Sequence, residues 1–106
     1  MKMEIKMTEV EFSKELRPLV FDCTRNFMDD AAFRRLNDLM ERAMSAFPQE
    51  RRVFTLASDA IQRSNKIMAY KDAAKRQAHA FDLSNHIEMV AFGMREIEAE
   101  RTKNGV

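Results

Sequence analysis

The chain has 106 residues, a length that allows one small domain. It contains two Gly and two Pro, where an average chain of this size holds about seven and five. So few turn formers cannot supply the hairpins of an all-β fold, and an all-α fold is expected, a small three- or four-helix bundle. Hydrophobic residues make up 45% and charged residues 33%, enough for a core and for its cover. No run approaches 18 apolar residues, which argues against a membrane span. Met1–Lys6 has no apolar block of the secretory kind, and the single cysteine suits a reducing compartment, so a cytoplasmic protein is expected.

The net charge of +1 hides an uneven distribution. Residues 1–50 carry eight Lys/Arg against ten Asp/Glu, residues 51–79 seven against two, and residues 80–106 three against five. The middle third is therefore basic at +5 between two segments of −2.

In chain order, Met1, Met3, Ile5 and Met7 alternate with charged residues and predict a short extended N-terminal arm over residues 1–8. Thr8 and Glu11 have capping-box spacing, with Ser13 as a second candidate cap. A first helix to about Met28 gathers Phe12, Leu16, Leu19, Val20, Cys23 and Phe27 on one face. Pro18 sits harmlessly in the first turn if that helix starts near Arg17, and bends it if the start is Ser13. Asp29 and Asp30 suit the start of a second helix, whose face is Phe33, Leu36, Met40, Ala43, Met44 and Phe47 and which Pro48 ends.

The 44 residues between Pro48 and Gly93 hold neither Gly nor Pro. Steps of four and three link Val53, Ala57, Ala60, Ser64, Ile67, Lys71, Ala74, Ala78 and Phe81. That heptad seam predicts one long helix supercoiled against another, possible between copies because its small residues allow close approach. Lys71 interrupts the seam and marks an open end or a charged contact. Asp82–Asn85 offers a cap and a turn, after which Leu83, Ile87, Val90, Met94 and Ile97 form the seam of a last helix. Fraying is expected after Glu100, leaving residues 101–106 as a tail. The whole of residues 1–106 reads as one helical domain.

The catalytic constellations are weak. His79, Asp82 and His86 have one-sided helical spacing, but a structural zinc site needs four ligands, and two histidines flanking a cap are the plainer reading. Neither histidine has a Glu three residues earlier, so the di-iron pattern is excluded. Cys23 lies on the apolar face of its helix and reads as core. No Gly-rich loop is present to cradle a phosphate. No cofactor or metal is expected, and no enzymatic activity.

The functional lead is the basic stripe of Arg51, Arg52, Arg63, Lys66, Lys71, Lys75 and Arg76. On a helix most of these lie opposite the Val53–Ala57–Ala60 edge, with Lys71 and Lys75 nearer to it. Such a stripe docks an acidic protein, tracks nucleic-acid phosphates, meets the acidic first and last segments of its own fold, or is simply a solvated face. Nine Met and eight Phe add a soft apolar surface, and Phe12, Phe54 and Phe92 fall off the main seams. The expectation is a non-enzymatic adaptor or inhibitor that binds a larger protein with an acidic surface and self-associates as a homo-oligomer. A sequence-tolerant nucleic-acid binder is the alternative.

Overall fold

A computed structural model describes residues 7–25 and 29–103. Four helices follow one another, α1 Glu9–Arg25, α2 Asp30–Ala46, α3 Arg51–Ala69 and α4 Ala73–Lys103. The described residues contain no strand, and the all-α expectation holds. Residues 1–6, which carry most of the expected arm, lie outside the described set, as do Phe27 and residues 104–106.

Each helix packs on the next in sequence, and α4 closes the ring against α1. Cross-links between them fix the directions. Arg35 pairs with Asp22 and Arg42 with Glu15 between α1 and α2, Arg52 with Glu100 between α3 and α4, and Arg95 with Glu9 between α4 and α1. In every case the early part of one helix meets the late part of its neighbour, so neighbours are antiparallel, as short connections between packed helices require.

Local signals explain most boundaries. The Thr8 hydroxyl accepts from the Glu11 amide at 3.2 Å and starts α1 at Glu9. The amide of Glu9 itself donates to a Glu98 carboxylate oxygen of α4 at 2.6 Å. Ser13 is therefore inside the helix, donating to Glu9 at 2.8 Å, and does not cap it. Pro18 also falls within α1, where its missing N–H leaves the Lys14 carbonyl without a helical donor. Asp29 caps α2 by accepting from the Ala32 amide at 2.8 Å, and the helix stops before Pro48.

The core is built from Phe12, Leu16, Leu19 and Cys23 of α1, Leu36, Leu39, Met40 and Ala43 of α2, Val53, Ala57, Ala60 and Ile67 of α3, and Leu83, Ile87, Val90, Met94 and Ile97 of α4. Each large side chain of this kind contributes about 1.5–3 kcal/mol when removed from water. Phe12, which the sequence places on the apolar face of α1, is fully buried. Two hydroxyls sit in this interior without penalty. Ser64 donates to the Ile61 carbonyl at 2.7 Å and Ser84 to the Phe81 carbonyl at 2.6 Å.

The long predicted helix is corrected. Of its nine seam positions, Val53, Ala57, Ala60, Ser64 and Ile67 are buried in α3, while Lys71, Ala74, Ala78 and Phe81 are exposed. The chain leaves the helix at Tyr70, whose backbone is extended. It restarts behind Asp72, whose carboxylate accepts from the Ala74 amide at 3.0 Å while its carbonyl accepts from Arg76. An Asp in cap position has thus made the break without Gly or Pro. The seam's partners are α2 and α4 of the same chain.

The expected turn at Asp82–Asn85 is absent. Chain reversal has already occurred at residues 70–72, so α4 runs unbroken for 31 residues. Asp82 and Asn85 simply lie on its exposed side, where their propensity cost is small. Helix continues through Lys103, three residues beyond Glu100, and the Arg101 guanidinium lies 5.4 Å from the centre of the Phe47 ring.

At 1.5 Å per residue α4 is about 46 Å long, against about 28 Å for α3. It spans most of the molecule's 50 Å axis. Its first buried residue is Ala80, and its opening two turns meet the end of α3 through Arg76 on Met68 and His79 on Tyr70.

Candidate interaction surfaces

The basic stripe does not survive as one surface. Arg52 turns toward α4, where its guanidinium meets Glu100 at 2.6 Å and Glu96 at 3.3 Å, with Glu50 at 3.6 Å. The hydrogen bond to Glu100 raises the Arg52 pKa and holds the Glu100 carboxyl below its ordinary value. Arg63 is bound to Asp59 at 3.0 Å one turn earlier. Arg76 is half-buried and places one guanidinium nitrogen 2.9 Å from the Met68 sulfur. These three arginines are structural in part or whole.

Arg51, Lys66, Lys71 and Lys75 are exposed, and no ion pair among the described residues engages them. Arg51 opens α3 at one end of the molecule. Lys66 lies in the last turn of α3, Lys71 in the α3–α4 connection and Lys75 in the first turn of α4, all at the other end. A groove of about 290 Å³ sits beside them, lined by Arg63, Lys66, Tyr70 and His79. Tyr70 and His79 stack with centroids 4.7 Å apart. The first turn of α4 has no acidic residue, and the anion at the positive end of its dipole is the capping Asp72 carboxylate.

The histidines do not converge on a metal. His79 is held in the stack with Tyr70, and Asp82 is exposed. His86 is not solvent-facing as expected, because it packs against α3 with Nε2 3.1 Å from Asp59 and 3.2 Å from the Leu56 carbonyl. A carbonyl only accepts, so Nε2 carries the proton. Among the described residues, no three His, Cys, Asp or Glu are grouped to hold a metal ion. Cys23 is buried as expected, and burial, with the charge of Asp22 behind it, pushes its thiol up to about 11. A neutral buried thiol is a poor nucleophile.

A second surface was not read from the sequence as a unit. Val10 and Phe21 of α1 and Phe81, Met89 and Phe92 of α4 are all more than half exposed. Between the two helices runs a groove of about 640 Å³ lined by Val10, Leu16, Val20, Ala91 and Phe92, with Lys14, Arg17, Glu88 and Arg95 beside them. Glu9 at its edge is held below the ordinary carboxyl range, first by the hydrogen bond from Arg95 at 2.8 Å and then by that from Ser13. The signal was present in the spacing of Val10, Lys14, Arg17 and Phe21, a second helical stripe on the side away from the core.

Comparison with protein-family models, with curated proteins and with solved structures finds no match to this chain. No helix among the described residues is long and apolar enough to cross a membrane.

Proposed function

We propose that the chain is a non-enzymatic interaction module that docks a larger protein bearing an acidic surface. The docking face is the basic end formed by Lys66, Lys71 and Lys75, with Arg63, Tyr70 and His79 beside it. The observation that carries this reading is that these three lysines share one end of the molecule and form no ion pair among the described residues. Exposed cations that form no ion pair and outnumber the carboxylates beside them, here Asp59 and Asp72, steer and orient an acidic partner. Arg52 drops out of the docking set because Glu96 and Glu100 neutralise it.

The test is affinity co-purification from a lysate of the source cell, comparing the native chain with a Lys66→Glu/Lys71→Glu/Lys75→Glu variant, before and after nuclease. A protein retained after nuclease by the native chain and lost from the variant, at equal helicity, is the expected result. Equal retention by both removes the basic end as the docking face. Release of everything by nuclease replaces the acidic protein with nucleic acid, whose phosphates the same lysines attract in a salt-dependent way.

A further inference from the structure

The α1–α4 face presents two stripes of opposite charge. At 100° per residue, Val10, Lys14, Arg17 and Phe21 share the outward side of α1, and Phe81, Asn85, Glu88, Met89, Phe92 and Glu96 the outward side of α4. Both stripes have exposed apolar side chains, between 52% and 67% for Val10, Phe21, Phe81, Met89 and Phe92. Lys14 and Arg17 are the cations of one stripe; the other carries the anions Glu88 and Glu96 and the cation Arg95, which is paired with Glu9 of its own chain. Lys14, Arg17 and Glu88 form no ion pair among the described residues, and Glu96 has only a 3.3 Å contact to Arg52.

We infer that this face binds a second copy of the chain about a two-fold axis parallel to the helices, with α1 of each copy on α4 of the other. That axis reverses neither helix and allows no sliding along its own direction, so each residue meets the other copy at its own level. The levels follow from the antiparallel packing in which Glu9 contacts Arg95 and Glu98. Counting inward, Arg17 stands level with Met89, Lys14 with Phe92 and Phe21 with Asn85. In the dimer Arg17 therefore lies beside Glu88 of the second copy, and Lys14 between its Glu88 and Glu96. Phe21 enters the gap between Phe81 and Met89 of the second copy, as a knob enters a hole. The charges complement each other in this register, and Phe21 supplies its apolar contact. The opposite choice, α1 on α1, sets Lys14 against Lys14 and Arg17 near it, and is repulsive.

This surface is separate from the lysine end, so either reading stands or falls without the other. The experiment is molar mass by light scattering at micromolar concentration, with helicity recorded in parallel. The native chain runs as a dimer, and Phe92→Arg, which sets a second cation level with Lys14 of the other copy, converts it to a folded monomer. Arg17→Glu and Glu88→Arg each run as monomers alone, because each then opposes like charges across the axis. Mixed in equal amounts they form a dimer, since the substituted side chain of each variant then faces an opposite charge on the other. That recovery depends on contact between chains and cannot arise from a change within one. A monomeric native chain, a dimer indifferent to Phe92→Arg, or a mixture that stays monomeric overturns the inference.

Discussion

Arg52 and Gly93 meet at the closest approach of α3 to α4. A methyl group placed on Gly93 would stand 2.9 Å from the Arg52 carbonyl oxygen, a backbone atom that cannot rotate away. In an exposed helix, Gly→Ala gains about 1 kcal/mol. Here the clash reverses the sign, and Gly93→Ala is expected to destabilise by about 1–3 kcal/mol. Urea unfolding of the two chains measures it, and a stabilised variant would show that α3 moves aside easily. Arg52 itself illustrates the limit of reading a stripe from helical angles. The angle assigns it to an outward side, but a long side chain turned toward Glu96 and Glu100 is consumed inside the fold. His86 fails in the same way, for burial depends on which neighbour stands opposite.

At the scale of elements, boundaries followed capping chemistry more faithfully than periodicity. Asp29 and Pro48 delimit α2 as their chemistry requires, and Thr8 begins α1. Asp29→Ala removes the bond to the Ala32 amide and is expected to cost about 1 kcal/mol, with little effect from Asp29→Asn. Thermal melts of the three chains decide it, and equal loss in both variants would place the effect in charge and not in the cap. The break at residues 70–72 was missed because the seam continued through it. Asp72, the cap-forming residue, was the available signal and was outweighed by the run of small residues around it. Conversely, Asp82 suggested a cap where Leu83 and Ile87 bind α4 too firmly to the core for the helix to open.

For the molecule as a whole, carboxylates hold helix to helix. Glu9, Glu15 and Glu100, which each join two helices, and Asp59, whose arginine lies one turn on in α3, all have pKa values lowered first by a hydrogen bond from an arginine, respectively Arg95, Arg42, Arg52 and Arg63. A folded pKa below the unfolded one means that the ionised form favours the fold. Their contribution is complete above the unfolded values, at about pH 5, and is lost as pH falls through the folded ones. The melting temperature is expected to be flat from neutrality to about pH 5 and to fall steadily below about pH 4.5. The series is run at one protein concentration, because self-association adds its own stabilisation. Since these pairs are largely exposed, added salt should shrink the decline. A melting temperature unchanged down to about pH 3 would mean that the ion pairs contribute nothing.

The helical class, the apolar faces of α1 and α2, the final seam from Leu83 to Ile97 and the burial of Cys23 follow from composition and periodicity, because each depends on residues near in sequence. Where the long seam breaks, which arginines are consumed by glutamates some 44–48 residues away, and which phenylalanines remain in water depend on pairs distant in sequence. Packing brings those pairs together. It divided a continuous basic stripe into structural arginines and a lysine end, and left two oppositely charged stripes side by side on α1 and α4.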